Sequence, residues 1–206
     1  MTWLPITLAT ALIIIASGSG AHAATMFQLL GSAAVEAVDE ASSFPLTQDG
    51  ITATLTANVG VLNTTSSGFG VNHPLVGDPT DGIDAFFGDH ESVTLTFNQA
   101  VTLDQVVLSL FTPSGGELAS LTIDGFPTLT LIPMTPATDV YNFSANNTVL
   151  VGQSIVLAHV AGNGFSFDSL TVSAVPEPSA FIMLLVGIGV VARYRARGLT
   201  GRADSR

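Results

Sequence analysis

The side chains best suited to chemistry in this sequence are concentrated in one glycine-rich stretch, residues 78–91. It contains five carboxylates, which are Asp78, Asp81, Asp84, Asp89 and Glu91. Hard cations such as Ca²⁺ bind several oxygen ligands at about 2.4 Å, and a folded acidic loop supplies such oxygens. The spacing differs from that of an EF-hand loop. We therefore predict these five residues as candidate Ca²⁺ ligands, with a solvated acidic loop as the alternative.

The charge distribution gives this acidic stretch its context. The chain has no lysine, and its arginines are confined to the C-terminal end, at Arg193, Arg195, Arg197, Arg202 and Arg206. Residues 24–175 therefore carry fourteen of the sixteen acidic residues and no strong cation. Such a domain cannot neutralise phosphates, so nucleic acid is excluded as an expected partner. The acidity either attracts a cation such as Ca²⁺ or keeps an exported protein soluble.

No other group of residues in the sequence is a strong candidate for a metal site or a catalytic site. His73, His90 and His159 form no His-x-x-x-His pair, so zinc is not expected. Without cysteine there is no thiol nucleophile, and no Gly-x-Ser-x-Gly elbow occurs. A pair of acids can serve a glycosidase, but acid pairs are common in this chain. We predict that the protein is not an enzyme, and a secreted hydrolase using an acid pair is the alternative.

Two further features have both a functional and a structural interpretation. An aromatic platform for sugars would have to use Tyr141 or phenylalanines such as Phe69, Phe86 and Phe87. Phe86 and Phe87 in the acidic loop can form such a platform or can anchor the loop to the core. Asp168 interrupts an apolar strand pattern, so it caps a turn, faces solvent or contributes to a cation site. For Asp168 the sequence favours the solvent-facing position.

The C-terminal region has three consecutive parts with different chemistry. Val175, Pro176, Glu177 and Pro178 come first, an apolar run follows over residues 181–192, and a basic cluster closes it. The basic residues of that cluster are Arg193, Arg195 and Arg197. This order closely resembles the PEP-CTERM sorting signal. The resemblance covers only the tail and implies export, recognition by an exosortase in the inner membrane, and processing near the Pro-Glu-Pro triplet. It also implies association with exopolysaccharide and biofilm matrix in a Gram-negative bacterium.

The physical properties of the tail agree with transient handling at a membrane. A helix over residues 180–192 rises about 20 Å at 1.5 Å per residue, short of a hydrocarbon core of about 30 Å. The arginines are expected to stay cytoplasmic, and the prolines keep the preceding segment extended. We predict a short C-terminal transmembrane helix that is processed. The alternative is a single-pass anchor that is never cut.

The N-terminus has the features of a secretory signal peptide. An apolar run covers residues 4–16 and is too short for a comfortable membrane span. Ala21-His22-Ala23 follows as an A-x-A cleavage site, so we predict cleavage after Ala23. No lysine or arginine precedes the run, and an N-terminal membrane anchor is the alternative.

The segment between these two ends has the pattern of an all-β domain. Short runs of alternating apolar residues recur between turn signals such as Asp124-Gly125 and Gly162-Asn163-Gly164. We predict strands over residues 51–62, 92–97, 101–111, 118–123, 128–132, 140–143, 148–151, 154–160 and 165–172, and one possible helix over 31–40. This spacing favours an antiparallel, jelly-roll-like β-sandwich, and because cysteine is absent its core must hold it without disulfides.

These observations predict four segments and one main function. The segments are a signal peptide at 1–23, an acidic β-sandwich ectodomain at 24–174, a sorting signal at 175–198 and a short tail at 199–206. The expected protein is exported and non-enzymatic, reaches the cell surface or extracellular matrix, and has an exosortase and exopolysaccharide as partners. Besides the hydrolase, a Ca²⁺-dependent surface structural protein is an alternative.

Overall fold

A computed structural model describes residues 23–29, 41–74, 82–86, 88–145 and 147–175, together with Leu184 and residues 187–189. Within these ranges the regular secondary structure is mostly β-strand, with a short 3₁₀ helix at Pro113–Gly115, and every strand pairing is antiparallel. The predicted all-β class is therefore confirmed. The strands in chain order are β1 Ala24–Gln28, β2 Ser43–Gln48, β3 Ile51–Ala57, β4 Val61–Thr65, β5 Gly68–Asn72, β6 Ala85–Phe86, β7 Asp89–His90, β8 Ser92–Phe97, β9 Val101–Ser109, β10 Leu118–Ile123, β11 Leu129–Leu131, β12 Thr138–Asn142, β13 Thr148–Val149, β14 Ser154–Ala161 and β15 Ser166–Ala174.

The strands form two large sheets and one small hairpin. One sheet has the order β12-β9-β15-β5-β4, with β1 added on β15 and β13 added on β9. The second sheet has the order β11-β10-β14-β8-β3-β2. The hairpin consists of β6 and β7 alone, and it carries the acidic stretch of the sequence.

Both large sheets contribute to one apolar core. The buried positions alternate along the strands, as in β3, where Ile51, Ala53 and Leu55 are buried and the residues between them are not. Fully buried members from the first sheet are Phe69, Leu103, Leu108, Leu170 and Val172, and those from the second are Leu55, Leu95, Leu121 and Leu157. Each such leucine or phenylalanine stabilises the fold by about 1.5–3 kcal/mol relative to exposure.

The strand predictions agree with the structure where alternation was clear. The predicted strands 92–97 and 118–123 coincide with β8 and β10. The prediction of one strand over 51–62 was wrong, because residues 58–60 bend and separate β3 from β4. Gly60 makes this bend with φ +61, where a side chain would lie 2.0 Å from the carbonyl oxygen of Asn72.

Asp168 occupies a β-bulge rather than a regular strand position. The register of β15 against β9 shifts between Phe167 and Ser169, so Asp168 is the extra residue. Its side chain is half-buried, and its Oδ1 accepts a hydrogen bond from the side chain of Gln28 at 3.4 Å. The bulge explains why the apolar alternation breaks at this residue.

Two predicted elements fall mainly outside the described residues. The predicted helix at 31–40 lies there completely. Of the predicted helix at 180–192, Leu184 and residues 187–189 are described and helical. Among the described residues, no helix has the length and apolar character needed to cross a membrane.

Candidate functional site

The β6–β7 hairpin brings two of the five predicted calcium ligands together. Asp84 precedes β6 and Glu91 follows β7, so the two residues face each other at the base of the hairpin. The amide of Glu91 donates to the carbonyl of Asp84 at 2.9 Å, and the amide of Asp84 donates to Glu91 Oε2 at 3.0 Å. Asp84 is 6% exposed and Glu91 is fully buried.

Neighbouring elements hold this base in place. Asn58 brackets Glu91, since its side chain donates to the carbonyl of His90 at 2.9 Å and accepts from the amide of Ser92 at 2.7 Å. The amide of His159 donates to the carbonyl of Glu91 at 3.0 Å. Gly164, at φ +98, lies against Asp84, because a side chain there would come within 2.5 Å of Asp84 Cβ. The hairpin base is thus fixed from two sides.

The remaining predicted calcium ligands do not join this pair. The Asp89 side chain is 65% exposed and lies 3.3 Å from Nε2 of the buried His73. Asp78 and Asp81 lie outside the described residues. In the described part of the chain, no three histidine or acidic side chains converge as a metal-binding group. The calcium site therefore stays a prediction.

Two histidines lie beside the base of this hairpin, and nothing in the sequence indicated that they would meet. The Nδ1 atoms of His90 and His159 are 3.0 Å apart, and Nε2 of His159 lies 3.3 Å from the carbonyl oxygen of Gly162. Burial lowers the pKa of His159, and nearby His90 lowers it further. The hydrogen bond to Gly162 and the charge of Asp84 oppose this shift. No periodicity could have linked positions 90 and 159, because they come from different sheets.

The aromatic candidates are only partly available to a ligand. Phe86 is half-buried, with its ring 5.4 Å from the ring of His73, while Phe87 lies outside the described residues. Phe69 is fully buried in the core. Tyr141 is half-buried, and its hydroxyl donates to the carbonyl of Ile132 at 2.7 Å. The contacts of Phe86 fit the interpretation of a loop anchor better than that of a sugar platform.

A cleft of about 360 Å³ lies beside Gly164. Its lining residues are Thr65, Ser67, Gly82, Leu110, Glu117, Asn163, Gly164, Phe165 and Ser166. Glu117 is 4% exposed and its Oε2 accepts a hydrogen bond from the amide of Thr112. No sequence pattern indicated this cleft, although Gly115-Gly116-Glu117 and Gly162-Asn163-Gly164 are glycine-rich turns that carry a polar side chain.

The predicted export signals begin at one end of the folded domain. Strand β15 ends at Ala174, and the amide of Val175 still donates to the carbonyl of Ala100 at 2.9 Å. Strand β1 begins at Ala24, which pairs with Ser173 near the end of β15. Ala23 is exposed and precedes β1 directly. The points where the predicted signal peptide and sorting tail leave the fold are therefore adjacent.

A comparison with family models matches residues 174–198 to the PEP-CTERM protein-sorting motif. The chain carries a PEP-CTERM motif. This motif supports exosortase-type sorting of an exported protein to the cell envelope or extracellular space. Of the predicted sorting residues, the structure describes Val175. The others, which are Pro176, Glu177, Pro178, Arg193, Arg195 and Arg197, lie outside the described residues but within the matched segment.

The matched segment begins at residue 174, so it does not cover the β-strands before it. Neither the curated proteins nor the solved structures include one that matches this chain. The PEP-CTERM motif therefore indicates how the protein is sorted. The role of the preceding β-strands can be inferred only from their own residues. Ala21 of the predicted cleavage site lies outside the described residues, and the cleavage after Ala23 stays a prediction.

Proposed function

We propose that this chain is a non-enzymatic matrix or surface protein of a Gram-negative cell envelope. A signal peptide that ends at Ala23 exports it, and its tail holds it in the inner membrane as an intermediate. An exosortase then processes the tail near Pro176-Glu177-Pro178 and releases the ectodomain to the cell surface or matrix, where it associates with exopolysaccharide. The observation that carries this proposal is the PEP-CTERM motif at residues 174–198.

The position of the two ends supports the proposal. Ala24 and Ser173 are paired neighbours, so the predicted signal peptide and the sorting tail leave the ectodomain from the same end of one sheet. A domain held by its tail at a membrane would then present the opposite end outward. The predicted sandwich is supported by two sheets of seven and six strands whose buried residues form one core.

Intact-mass analysis of the protein from its native host tests this proposal. We expect a mature chain that lacks residues 1–23 and the apolar tail. Deletion of residues 176–206 should prevent envelope sorting. Deletion of residues 199–206 is the matched control, because it leaves the matched segment 174–198 complete. A mature protein that retains residues 181–206, or a deletion of 176–206 that leaves its location unchanged, would refute the proposal.

The non-enzymatic role is favoured over the hydrolase by the burial of the best acid pair. Asp84 is 6% exposed and Glu91 is fully buried, so a substrate has little access to either carboxyl group. Activity screening on glycans with Asp84→Asn and Glu91→Gln separates the two alternatives. Turnover by the wild-type protein that both variants lose would establish the hydrolase.

Calcium binding is the second candidate function, with Asp78, Asp81, Asp84, Asp89 and Glu91 as its proposed ligands. It is favoured by the approach of Asp84 and Glu91 in a domain without lysine or arginine. A ligand at 100 times its Kd stabilises the folded state by about 2.7 kcal/mol. Thermal unfolding with Ca²⁺ and with a chelator measures this shift.

The calcium experiment needs a control outside the loop. Asp84→Asn should abolish the Ca²⁺-dependent rise in Tm. Asp49→Asn is the matched control, because Asp49 lies in the β2–β3 turn at φ 50, a conformation that asparagine tolerates. Equal Tm with and without Ca²⁺ in the wild-type protein would refute calcium binding.

A further inference from the structure

Two polar side chains of the cleft approach the same glycine. A Cβ atom added at Gly115 would lie 2.7 Å from Glu117 Oε1 and 3.0 Å from Asn163 Nδ2, so both side chains pack closely against Gly115. A hydrogen-bond acceptor and a hydrogen-bond donor therefore lie near each other in the cleft lining. Hydroxyl groups both donate and accept, so a ligand hydroxyl that reaches both side chains can pair with each of them.

A buried hydroxyl in the same cleft strengthens this arrangement. Ser166 lines the cleft and is 1% exposed, and its Oγ has no hydrogen-bond partner among the described residues. Buried polar groups are nearly always hydrogen-bonded, and one that is not calls for an explanation. A polar ligand in the cleft supplies such a partner. Thr65 and Ser67 add two more hydroxyl side chains to the lining.

Leu110 gives the cleft an apolar side chain, although the backbone conformation of this residue is unfavourable. Leu110 is 54% exposed and has φ 58, in the left-handed region that favours glycine or asparagine. Backbone strain of this kind is concentrated at binding sites, where the surrounding structure maintains it. The amide of Leu110 donates to the carbonyl of Ala137 at 2.9 Å, which holds the conformation in place.

Charge narrows the class of ligand. Residues 24–175 have no lysine or arginine, and among the described residues that line the cleft the one charged side chain is the carboxylate of Glu117. Phosphates and uronates would therefore be repelled. A metal ion would find a single carboxylate here, whereas Ca²⁺ needs six to eight oxygen ligands. A volume of about 360 Å³ is at the lower end of the range of small-molecule clefts.

We propose that this cleft binds a neutral polyhydroxyl ligand, namely a residue of an uncharged saccharide chain. Glu117 and Asn163 take one hydroxyl, Ser166 takes another, and Leu110 packs against the C–H face of the ring. The inference deepens the proposed matrix association and rests on it for the source of the saccharide.

Calorimetric titration of the mature protein from its native host tests the inference. The probes are cellotriose, maltotriose and laminaritriose, compared with a trimer of glucuronate and a trimer of glucosamine. We expect at least one neutral trisaccharide to bind more tightly than both charged ones. Failure of the folded wild-type protein to bind any neutral probe, or a preference for a charged one, would overturn the inference.

Variants link the binding to the cleft. Asn163→Ala removes the donor, Gly115→Ala displaces the Glu117 and Asn163 side chains, and each should weaken binding about tenfold or more. Leu110→Asn keeps a residue that tolerates the left-handed conformation but removes the apolar contact, and it should weaken binding several-fold. Leu150→Asn is the matched control, because Leu150 is 53% exposed and lies outside the lining residues.

The outcomes also separate this inference from the proposed function. Thermal unfolding establishes that each variant is folded, and Leu110→Asn remains as a test where Gly115→Ala does not fold. Folded cleft variants that bind as tightly as the wild-type protein would overturn the inference. The location of the protein after deletion of residues 176–206 is measured independently, so an unchanged location in a protein that still binds the saccharide would refute the sorting proposal alone.

Discussion

The imidazoles of His90 and His159 meet edge to edge, with their Nδ1 atoms 3.0 Å apart and their planes inclined by 23°. Their ring centroids are 5.2 Å apart. This distance is about the sum of the Nδ1–Nδ1 separation and the distance from each ring centroid to its own Nδ1, so the two nitrogens point at each other. A carbonyl only accepts, so Nε2–H of His159 donates to Gly162. In the neutral pair, Nδ1 of His159 therefore accepts and Nδ1–H of His90 donates.

The pair predicts a loss of stability on acidification. The pKa of His159 is lowered in the folded protein, first by burial, so the unfolded chain takes up this proton more readily. The stabilisation is complete above the unfolded pKa of about 6.5 and is lost as the pH falls through the lower folded value. Urea unfolding at pH 7.5, 6.5 and 5.5 should show a slope of up to about 1.4 kcal/mol per pH unit.

A variant assigns that slope to His159. His159→Gln keeps a donor for the carbonyl of Gly162 but does not titrate. It should remove most of the decrease in unfolding free energy between pH 7.5 and pH 5.5. The same slope in His159→Gln and in the wild-type protein would place the titrating group elsewhere.

The close packing around Gly164 predicts that Gly164→Ala destabilises the protein much more than Gly152→Ala. Gly164→Ala places a methyl group 2.5 Å from Asp84 Cβ at φ +98, whereas Gly152→Ala at φ +83 meets nothing within 4 Å. The left-handed backbone costs each variant about 1–2 kcal/mol. Overpacking adds about 1–3 kcal/mol in Gly164→Ala alone. Denaturant midpoints measure the difference, and equal losses would contradict the close approach of Gly164 to the hairpin.

The sequence predicted those parts of the fold in which alternation alone decides the structure. Strands β8 and β10 alternate regularly and were placed correctly, since one face of each is buried against the core. Strand β2 was missed because it contains Pro45 and is mostly exposed, as an edge strand allows. Strand β5 was missed because two of its five residues are glycine, which local propensity assigns to turns.

The candidate sites show a similar limit. Asp84 and Glu91 could be selected because they lie only seven positions apart, at the two ends of a short hairpin, so local sequence brings them together. Glu117 and Asn163 could not be paired, since their approach depends on the register of β10 against β14, which shifts at Leu118. Bulges of this kind depend on tertiary packing and leave no periodic signal in either strand.

The two hydrogen bonds of the Asn58 side chain on either side of Glu91 predict that Asn58 also affects the histidine pair. Asn58→Ala removes two hydrogen bonds and should cost about 0.5–1.5 kcal/mol for each. Because one bond holds the carbonyl of His90, the variant should also shift the titration of His159, followed by NMR.

The matched control for this coupling is Asn98→Ala. The Asn98 side chain likewise bonds two backbone groups, accepting from the amide of Thr52 at 2.9 Å and donating to the carbonyl of Gly50 at 3.3 Å. It should cost a similar free energy of unfolding without moving the titration of His159. A His159 titration that shifts equally in both variants would show a general loosening of the fold instead of a local coupling.

Tyr141 offers a spectroscopic test that reports on the fold and on processing together. Burial raises its pKa well above the usual value, and the charge of Asp139 raises it further. The only other tyrosine is Tyr194, in the sorting tail. Absorbance titration of the mature protein should therefore show no phenolate near pH 10 if the tail has been removed, and both tyrosines should ionise normally in the unfolded precursor.

One phenolate per folded mature chain at pH 10 would mean that Tyr194 is retained or that Tyr141 is exposed. The variant Tyr141→Phe distinguishes these two cases, because a signal that persists in it must come from Tyr194.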